Sequence, residues 1–153
     1  MPLRGGDSRI KRGTSLVELL IVVSVIAIVS SFVLVSAIGG LRYGKLQGAA
    51  YMVASKIAYT QQKAIMADRN CYFRANIGTS EAYVYFDITS MERFELPAGV
   101  VFLSSSVNPI YFNYLGTPNM GTTITLGVEG ESKRIYVVVA AVTGRVRISD
   151  THP

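Results

Sequence analysis

A long apolar run near the start of the chain constrains the fold more than any other feature of the sequence. It extends from Thr14 to Ile38, and its only charged residue is Glu18, near the beginning. Between Leu19 and Ile38 the polar residues are four serines. A helix of that length, at 1.5 Å per residue, measures about 30 Å, so the run predicts a helix that can span a membrane.

The residues before this run are basic. Arg4, Arg9, Lys11 and Arg12 stand against a single acidic residue, Asp7. Because segments rich in Lys and Arg stay on the cytoplasmic side, the pattern predicts a cytoplasmic N-terminus and a body on the far side of the membrane.

Glu18 is the unusual residue of the run. A carboxylate in an apolar span costs roughly 3 kcal/mol at the helix centre and less near an end, so a partner is expected for it. If the chain were cut between Gly13 and Thr14, the new α-ammonium would lie four residues before Glu18. The two charges could then meet on one helix or between neighbouring helices.

The segment Arg12–Leu20, RGTSLVELL, resembles the processing site of type IV prepilins and type II secretion pseudopilins. The resemblance implies a leader peptide of residues 1–13, which a prepilin peptidase cleaves after Gly13, and N-methylation of Thr14. It also implies that Glu18 is the carboxylate used in assembly. The sequence departs from the family at Thr14, where Phe is more frequent, and at Val35, where many major pilins carry Pro.

Two other interpretations of the apolar run stay open. Val35-Ser36-Ala37 has the small-x-small pattern of a signal peptidase site, which would make everything up to Ala37 a discarded secretory signal. Such signals usually have a shorter apolar region, and they have no need of Glu18. The run could also be an uncleaved single-pass anchor.

Residues 39–69 are predicted to continue the helix of residues 14–38 as an amphipathic segment. Lys and Gln residues alternate there with an apolar stripe at helical spacing: Leu46, Ala49, Ala50, Val53, Ile57, Ala64 and Ile65. Gly39, Gly40, Gly44 and Gly48 fall at the junction. Either the four glycines soften the helix, or Gly40, Gly44 and Gly48 form with Ser36 a ridge at four-residue spacing that lets helices approach closely.

From Asn70 the apolar period changes from 3.6 to 2, which predicts a β-rich domain over residues 70–149. Seven strand candidates alternate with turn signals that contain Gly. The predicted fold is α+β, with a long N-terminal helix packed on a small antiparallel β-sandwich-like domain. In the most apolar strand, Ile135, Val137 and Val139 share one face.

The second half of the chain resembles the GspH/FimT pseudopilins and minor pilins. The similar segments are Ile110–Phe112, Thr122–Leu126, Arg134–Val137 and Gly144–Ile148. The resemblance implies the pilin fold and a low-copy subunit at or near the tip of a pilus or pseudopilus. It implies a bacterial inner-membrane protein with its globular domain in the periplasm, and other pilin or pseudopilin subunits, the prepilin peptidase and the inner membrane as partners.

Arg145 and Arg147 lie two residues apart, so on a strand both guanidinium groups face the same way, beside a turn at Thr143-Gly144. Two such groups can hold phosphates. The stretch resembles the GRxR motif of FimT-like minor pilins, which bind DNA during natural transformation, with Gly144, Arg145 and Arg147 in its places. The same pair could instead protect an edge strand from aggregation.

Enzymatic chemistry is not expected, because no catalytic set can be assembled. His152 is the only histidine and Cys71 the only cysteine, which leaves no complete nucleophilic triad, His-based metal site or disulfide. Cys71 is expected to be a small buried apolar residue. Asp87, Glu92 and Glu95 are expected to be solvated carboxylates. Neither a cofactor nor a metal ion is expected.

The formal net charge of +5 falls to +2 when residues 1–13 are removed, so bulk charge does not indicate a nucleic-acid-binding protein. The predicted function is that of a minor pseudopilin or minor pilin, a structural subunit for tip assembly and protein secretion. One alternative is a FimT-like minor pilin that binds DNA. The alternative outside the family is a secreted or anchored β-domain that binds an unknown ligand.

Overall fold

The computed structural model describes residues 15–152, except for the side chains of residues 31–39. The leader predicted at residues 1–13 and the predicted new N-terminus, Thr14, lie outside the described residues. One helix, α1 (Leu16–Ala67), precedes eight strands: β1 (Cys71–Ala75), β2 (Glu81–Tyr85), β3 (Glu92–Glu95), β4 (Val100–Ser105), β5 (Ile110–Phe112), β6 (Thr122–Val128), β7 (Arg134–Val139) and β8 (Val146–Ser149).

The chain divides into two compact units, Met1–Gly39 and Gly40–Pro153. In the first unit, the large apolar side chains of α1 between Leu16 and Val29 are all more than half exposed. Within the described residues, no helix is both long enough and apolar enough to cross a membrane. The span predicted at Leu19–Ile38 remains a prediction, and the side chains of its last eight residues lie outside the described ones.

The second unit contains two four-stranded sheets, with strand orders β3-β2-β1-β5 and β4-β6-β7-β8. Every pair of neighbouring strands is antiparallel. One face of each sheet and one face of α1 contribute to a single apolar core, whose largest fully buried side chains include Phe73, Phe102, Phe112, Leu46 and Ile57. The predicted α+β fold, a helix packed on an antiparallel β-sandwich, is confirmed.

The predicted apolar stripe of the helix is confirmed at six of its seven positions, which are at most 1% exposed. Ile65 is the exception, because its side chain is 51% exposed. It follows Ala64 by about 100° around the helix and lies over the β5–β6 loop, with its Cδ1 against Gly116.

The end of α1 has a defined stop. Asp68 has a positive φ of 52°, and the N–H groups of Asp68 and Arg69 donate to the carbonyl oxygens of Ile65 and Ala64. This pair of hydrogen bonds is the Schellman motif, which satisfies carbonyls that the last helical turn leaves free.

The structure has eight strands where the sequence predicts seven. The additional strand is β3, ERFE, in which three of the four residues are charged and exposed, so it lacks the apolar alternation by which strands are recognised. It pairs with β2 and is an edge strand, where charged side chains are tolerated. The buried position predicted for Cys71 is confirmed. The common face predicted for Ile135, Val137 and Val139 is also confirmed, and all three side chains are buried.

The sequence predicts a solvated carboxylate at Glu92, but the structure gives this carboxylate two partners. It accepts hydrogen bonds from Lys63 and, at 3.3 Å, from the hydroxyl of Tyr59, so it ties β3 to α1. The bond from Lys63 lowers the pKa of Glu92 more than burial raises it. Burial disfavours the charge of Lys63, but the bond to Glu92 and its negative charge outweigh burial and raise the pKa of Lys63.

The other two acidic residues also have partners, although both are exposed. Hydrogen bonds from Thr89 and Ser90 hold the pKa of Asp87 below its ordinary value, and its carboxylate lies 3.9 Å from Arg69. Glu95 pairs with Arg93, two residues before it on the same edge strand, β3.

The side-chain amide of Gln61 joins α1 to two separate loops. Its Nε2 donates to the carbonyl oxygen of Gly116 at 2.8 Å and to that of Thr143 at 3.2 Å. Gly144, next to Thr143, has a positive φ of 65°, and a Cβ added there would lie 2.6 Å from this Nε2 and 3.1 Å from the Phe112 ring. The β7–β8 turn therefore packs directly on the helix.

We predict that Glu92→Gln lowers the free energy of unfolding at neutral pH by less than about 1 kcal/mol, because the ion pair is partly exposed. A carboxylate with a lowered folded-state pKa contributes stability above its unfolded pKa, and this contribution is lost as the pH falls through the folded-state pKa. The variant should therefore lose less stability on acidification below about pH 4.5 than the wild type. Urea unfolding across this range measures both effects.

The control for this experiment is Glu129→Gln, since Glu129 is exposed and makes no ion pair within the described residues. An equal acid sensitivity of wild type and Glu92→Gln would show that the Lys63–Glu92 pair contributes nothing.

We also predict that Gly144→Ala is more destabilising than Gly130→Ala. Both glycines have positive φ, but a Cβ at Gly130 would meet nothing within 4 Å. Gly130→Ala should cost about 1 kcal/mol from backbone strain alone, and Gly144→Ala about 2–3 kcal/mol, because the methyl group must also displace Gln61. Equal unfolding free energies for the two variants would contradict the packing described here.

Candidate functional site

The N-terminal turn of α1 carries Glu18, the carboxylate for which an assembly role is predicted. The carbonyl of Ser15 accepts the first helical hydrogen bond, from the N–H of Leu19 at 3.1 Å. Glu18 is thus in the first turn, where the helix dipole favours a negative charge. Its side chain is exposed and makes no ion pair with any residue that the structure describes. Gly13 and Thr14 lie outside those residues.

The side of α1 that faces away from the core forms a continuous exposed surface in the second unit. Residues at three- and four-residue spacing compose it, and we call this set the outer helix face: Gly44, Gly48, Tyr51, Ser55, Ala58 and Gln62. None of the six is charged, and Tyr51 is 61% exposed. A Cβ added at Gly44 or at Gly48 would meet nothing within 4 Å, so another backbone could approach closely there.

The three lysines of this helical segment, Lys45, Lys56 and Lys63, lie beside the outer helix face, about 100° around the helix. The ammonium of Lys56 lies 5.4 Å from the centre of the Tyr59 ring and 5.7 Å from that of Phe94. Lys63 pairs with Glu92, as described above. Two of the three lysines are thus used within the unit, and the outer helix face itself is uncharged.

The turn between β7 and β8 carries the predicted arginine pair. The N–H of Ala140 donates to the carbonyl of Arg145 at 3.0 Å, and the N–H of Gly144 donates to the carbonyl of Ala140 at 2.9 Å. Arg145 precedes β8, and Arg147 pairs in register with Val138. The strand geometry therefore places both arginines beside the same stretch of β7.

Both arginines line one depression of about 510 Å³, together with Val138, Ala140 and Thr143. Both are exposed, and neither makes an ion pair in the part of the chain that the structure describes. The two guanidinium groups are therefore free to bind an anion in this depression. The strand period predicted their common face, but not the apolar floor from Val138 and Ala140.

Sequence reasoning missed the part that Gln61 plays near this surface. In the sequence Gln61 is one of several polar residues between apolar stripe positions, which is typical of a solvated helix position. The only hint in the sequence is that Gln61 lies next to the apolar stripe of α1. A polar side chain in that position can reach loops that cover the end of the helix. In the structure it holds the carbonyl of Thr143, two residues before Arg145.

No other cluster of chemically active side chains stands out among residues 15–152. No three His, Cys, Asp or Glu residues in this range lie close enough to hold a metal ion. The His152 ring packs edge-on against Tyr136, with 5.1 Å between ring centres. Burial raises the pKa of the Cys71 thiol, so it is a poor nucleophile at neutral pH.

Comparison with known proteins finds likeness in structure only. No protein-family model and no curated protein sequence matches the chain. Among solved structures, the type IV minor pilin FimU of Pseudomonas aeruginosa superimposes with a TM-score of 0.56 and 14% sequence identity, over 68% of this chain and 92% of FimU. The minor pseudopilin EpsH of the Vibrio cholerae type II secretion system gives a TM-score of 0.56 and 10% identity, over 69% of this chain and 97% of EpsH.

These two proteins come from different machines but share one fold, and each is covered almost completely by the present chain. At 10–14% identity the likeness concerns the fold and not the activity. The chain has the fold of the minor pilins and minor pseudopilins.

Proposed function

We propose that this chain is a minor pilin or minor pseudopilin, a structural subunit of a type IV pilus or of a type II secretion pseudopilus. The outer helix face is the observation that supports this most directly. It is exposed and uncharged along most of the helical segment whose opposite side holds the core. The small residues of this face let another helix approach closely, and neighbouring subunits supply such helices in a filament.

The N-terminal segment fits the same proposal. A prepilin peptidase cleaves the leader after Gly13, and the α-ammonium of Thr14 is then methylated. Before assembly, Leu19–Ile38 spans the inner membrane and the folded unit lies in the periplasm, in line with the basic leader. What supports this step is the motif RGTSLVE and the length of the apolar run.

Glu18 has a physical role in this scheme. Its unpaired carboxylate raises the free energy of the chain in the membrane. This cost is removed when the carboxylate pairs with the Thr14 ammonium of a neighbouring subunit. The ion pair therefore forms only in the filament. Its exposed position, with no partner among the described residues of its own chain, is compatible with a partner from another subunit.

We predict that Ala58→Lys abolishes incorporation into filaments, because it places a charge on the outer helix face, where burial by another helix would leave it unpaired. Ala58 is exposed, so the free energy of unfolding should change by less than about 0.5 kcal/mol. Glu18→Ala should also reduce incorporation, while membrane insertion is unchanged or improved. Comparison of sheared filaments with membranes by immunoblot measures both variants.

Ile88→Lys is the matched control, since Ile88 is 90% exposed in the loop between β2 and β3 and does not belong to the outer helix face. Mass spectrometry of the mature N-terminus establishes that every variant is cleaved before Thr14. Wild-type incorporation of Ala58→Lys would contradict the proposed role of the face. A mature chain that begins at Ile38 would contradict the pilin proposal as a whole.

Binding of DNA is a second candidate function, and the depression between Arg145 and Arg147 favours it. Two exposed guanidinium groups, which make no ion pair with any residue the structure describes, line one surface, and arginine is well suited to hold phosphate oxygens. Contacts of this kind give affinity without base recognition. A FimT-like minor pilin would use them to take up DNA during natural transformation.

We predict that the wild type binds duplex DNA weakly and without sequence preference, with a slope of log affinity against log salt of about −2, since each phosphate contact contributes about −0.9. Arg145→Ala combined with Arg147→Ala should remove most of the affinity and flatten the slope. Fluorescence anisotropy at several salt concentrations measures affinity and slope together.

Arg74→Ala is the control for this experiment, because Arg74 is an exposed arginine of β1, in the other sheet, and does not line the depression. If wild type and double variant both fail to bind at about 150 mM salt, and the double variant aggregates, the arginines protect an edge strand instead. The proposal of a structural subunit is independent of this outcome.

A further inference from the structure

A row of tyrosine rings crosses the outer face of the sheet β3-β2-β1-β5. The strand register places Tyr72 of β1 opposite Tyr85 of β2 on one side and opposite Tyr111 of β5 on the other. The centre of the Tyr72 ring lies 5.2 Å from that of Tyr85 and 5.5 Å from that of Tyr111. We call these three residues the tyrosine row.

The tyrosine row faces away from the core. Side chains alternate between the two faces of a strand, and Cys71 and Phe73, which flank Tyr72 in β1, are at most 1% exposed. Tyr72 itself is half-buried. In β2, Val84 is likewise buried beside a half-buried Tyr85. Because the rings lie on the side opposite to the core, a molecule outside the fold can reach them.

The rings of the row leave part of their faces open. The planes of Tyr72 and Tyr85 are nearly parallel, at 11°, and the plane of Tyr111 is tilted by 47° from that of Tyr72. Carbon atoms in contact lie about 3.5–4.0 Å apart, so a distance of 5.2 Å between the centres means that the parallel rings are offset. Each ring of this pair therefore covers only part of the other.

Planar polar side chains continue the same face beside the tyrosine row. Arg74 and Asn76 follow Tyr72 at two-residue intervals, and Tyr83 lies opposite Arg74. A depression of about 260 Å³ is lined by Arg74, Asn76, Tyr83 and Met91. Within the described residues, the side chains of Arg74 and Asn76 make no ion pair and no hydrogen bond. Their guanidinium and amide groups are thus available to a ligand.

This face carries no net charge. At the outer positions of its four strands, all of which the structure describes, the charged residues are Arg74, Arg93, Glu81 and Glu95. Arg93 donates to both carboxylates, and the hydroxyl of Tyr83 donates to Glu81 at 2.8 Å. Single-stranded nucleic acid also stacks on aromatic rings, but it requires a positively charged groove beside them. The neutral face fits an uncharged ligand better.

A neutral sugar chain has the groups that such a surface recognises. The C–H face of a pyranose ring is apolar and packs on an aromatic ring, while its hydroxyls bind planar polar groups such as guanidinium and amide. The distances between neighbouring rings of the tyrosine row are close to the length of one sugar unit in an extended chain. Pairing of rings across strands also stabilises a sheet, but that role does not require Arg74 and Asn76 beside them.

We propose that the outer face of this sheet binds a neutral polysaccharide with extended, β-linked chains. Successive sugar rings pack along the tyrosine row, and hydroxyls on one side of the sugar chain form hydrogen bonds with Arg74 and Asn76. The contacts are few and partly open to water, so a short oligosaccharide binds weakly. The surface lies within the second unit alone, so this inference does not depend on cleavage, membrane insertion or assembly.

The full chain, in micelles of a detergent without a sugar headgroup, tests this inference. The probes are cellopentaose, xylopentaose and mannopentaose, all neutral and β-linked, and each is titrated to millimolar concentration in a calorimeter. We expect at least one of them to bind. Tyr72→Ala should weaken this binding about tenfold, whereas Tyr72→Phe, which keeps the ring, should stay within about twofold of the wild type. Tyr111→Ala, at the edge of the sheet, should weaken it several-fold and replaces Tyr72→Ala if that variant does not fold.

Tyr114→Ala is the matched control, because Tyr114 is a 53% exposed tyrosine of the loop after β5 and lies outside the tyrosine row. Circular dichroism establishes that each variant is folded. The inference is overturned if none of the three sugars binds, or if the folded variants of the row bind them as tightly as the wild type does. Binding of single-stranded oligothymidine with a steep salt dependence, and of no sugar, would show a nucleic-acid surface instead. The proposal of a structural subunit stands or falls separately from these results.

Discussion

The burial of one face of α1 against both sheets is the interaction on which the rest of the folded unit depends. Each sheet has one apolar face, and neither could bury it alone in an isolated four-stranded layer. Leu46, Val53 and Ile57 are each at most 1% exposed, and they share a core with Phe73 of one sheet and Phe102 of the other. The helix therefore acts as the third wall of the core, and no disulfide is needed to hold the sheets together.

One side of the helix is buried in the core, and the other sides differ in the contacts that they make within the folded unit. The side with Lys56 and Lys63 is occupied by the β2–β3 region, through Glu92 and the aromatic rings beside it. The outer helix face carries no charge, and its glycines leave room for another helix to approach. One side of α1 thus packs in the core, a second contacts the β2–β3 region, and the outer helix face stays exposed. This arrangement favours a structural subunit over a free-standing domain.

Much of this organisation could be predicted from the sequence, because buried apolar residues recur with the period of the helix or strand that carries them. The 3.6-residue stripe gave the core side of α1, the two-residue alternation gave seven strands, and the glycine in each predicted turn has a positive φ. Strand β3 was not predicted, because it is an exposed edge strand whose charged residues show no apolar alternation. The role of Gln61 was not predicted for another reason. Its two hydrogen-bond partners lie 55 and 82 residues away, and no local sequence pattern shows which loops cover the end of a helix. The common face of Arg145 and Arg147 was foreseeable from strand geometry, whereas the depression they line depends on β7.

The two hydrogen bonds of Gln61 also limit how the length of the chain can change during evolution. A single residue inserted or deleted in α1 between Val53 and Gln61 would rotate the amide by about 100° relative to the buried stripe, and both loops would lose their donor at once. The loop between β2 and β3 contacts the end of α1 through the exposed pair of Asp87 and Arg69, and Ile88 at its tip is 90% exposed. Length variation among relatives of this chain should therefore concentrate in that loop, while the spacing along the second half of α1 stays fixed.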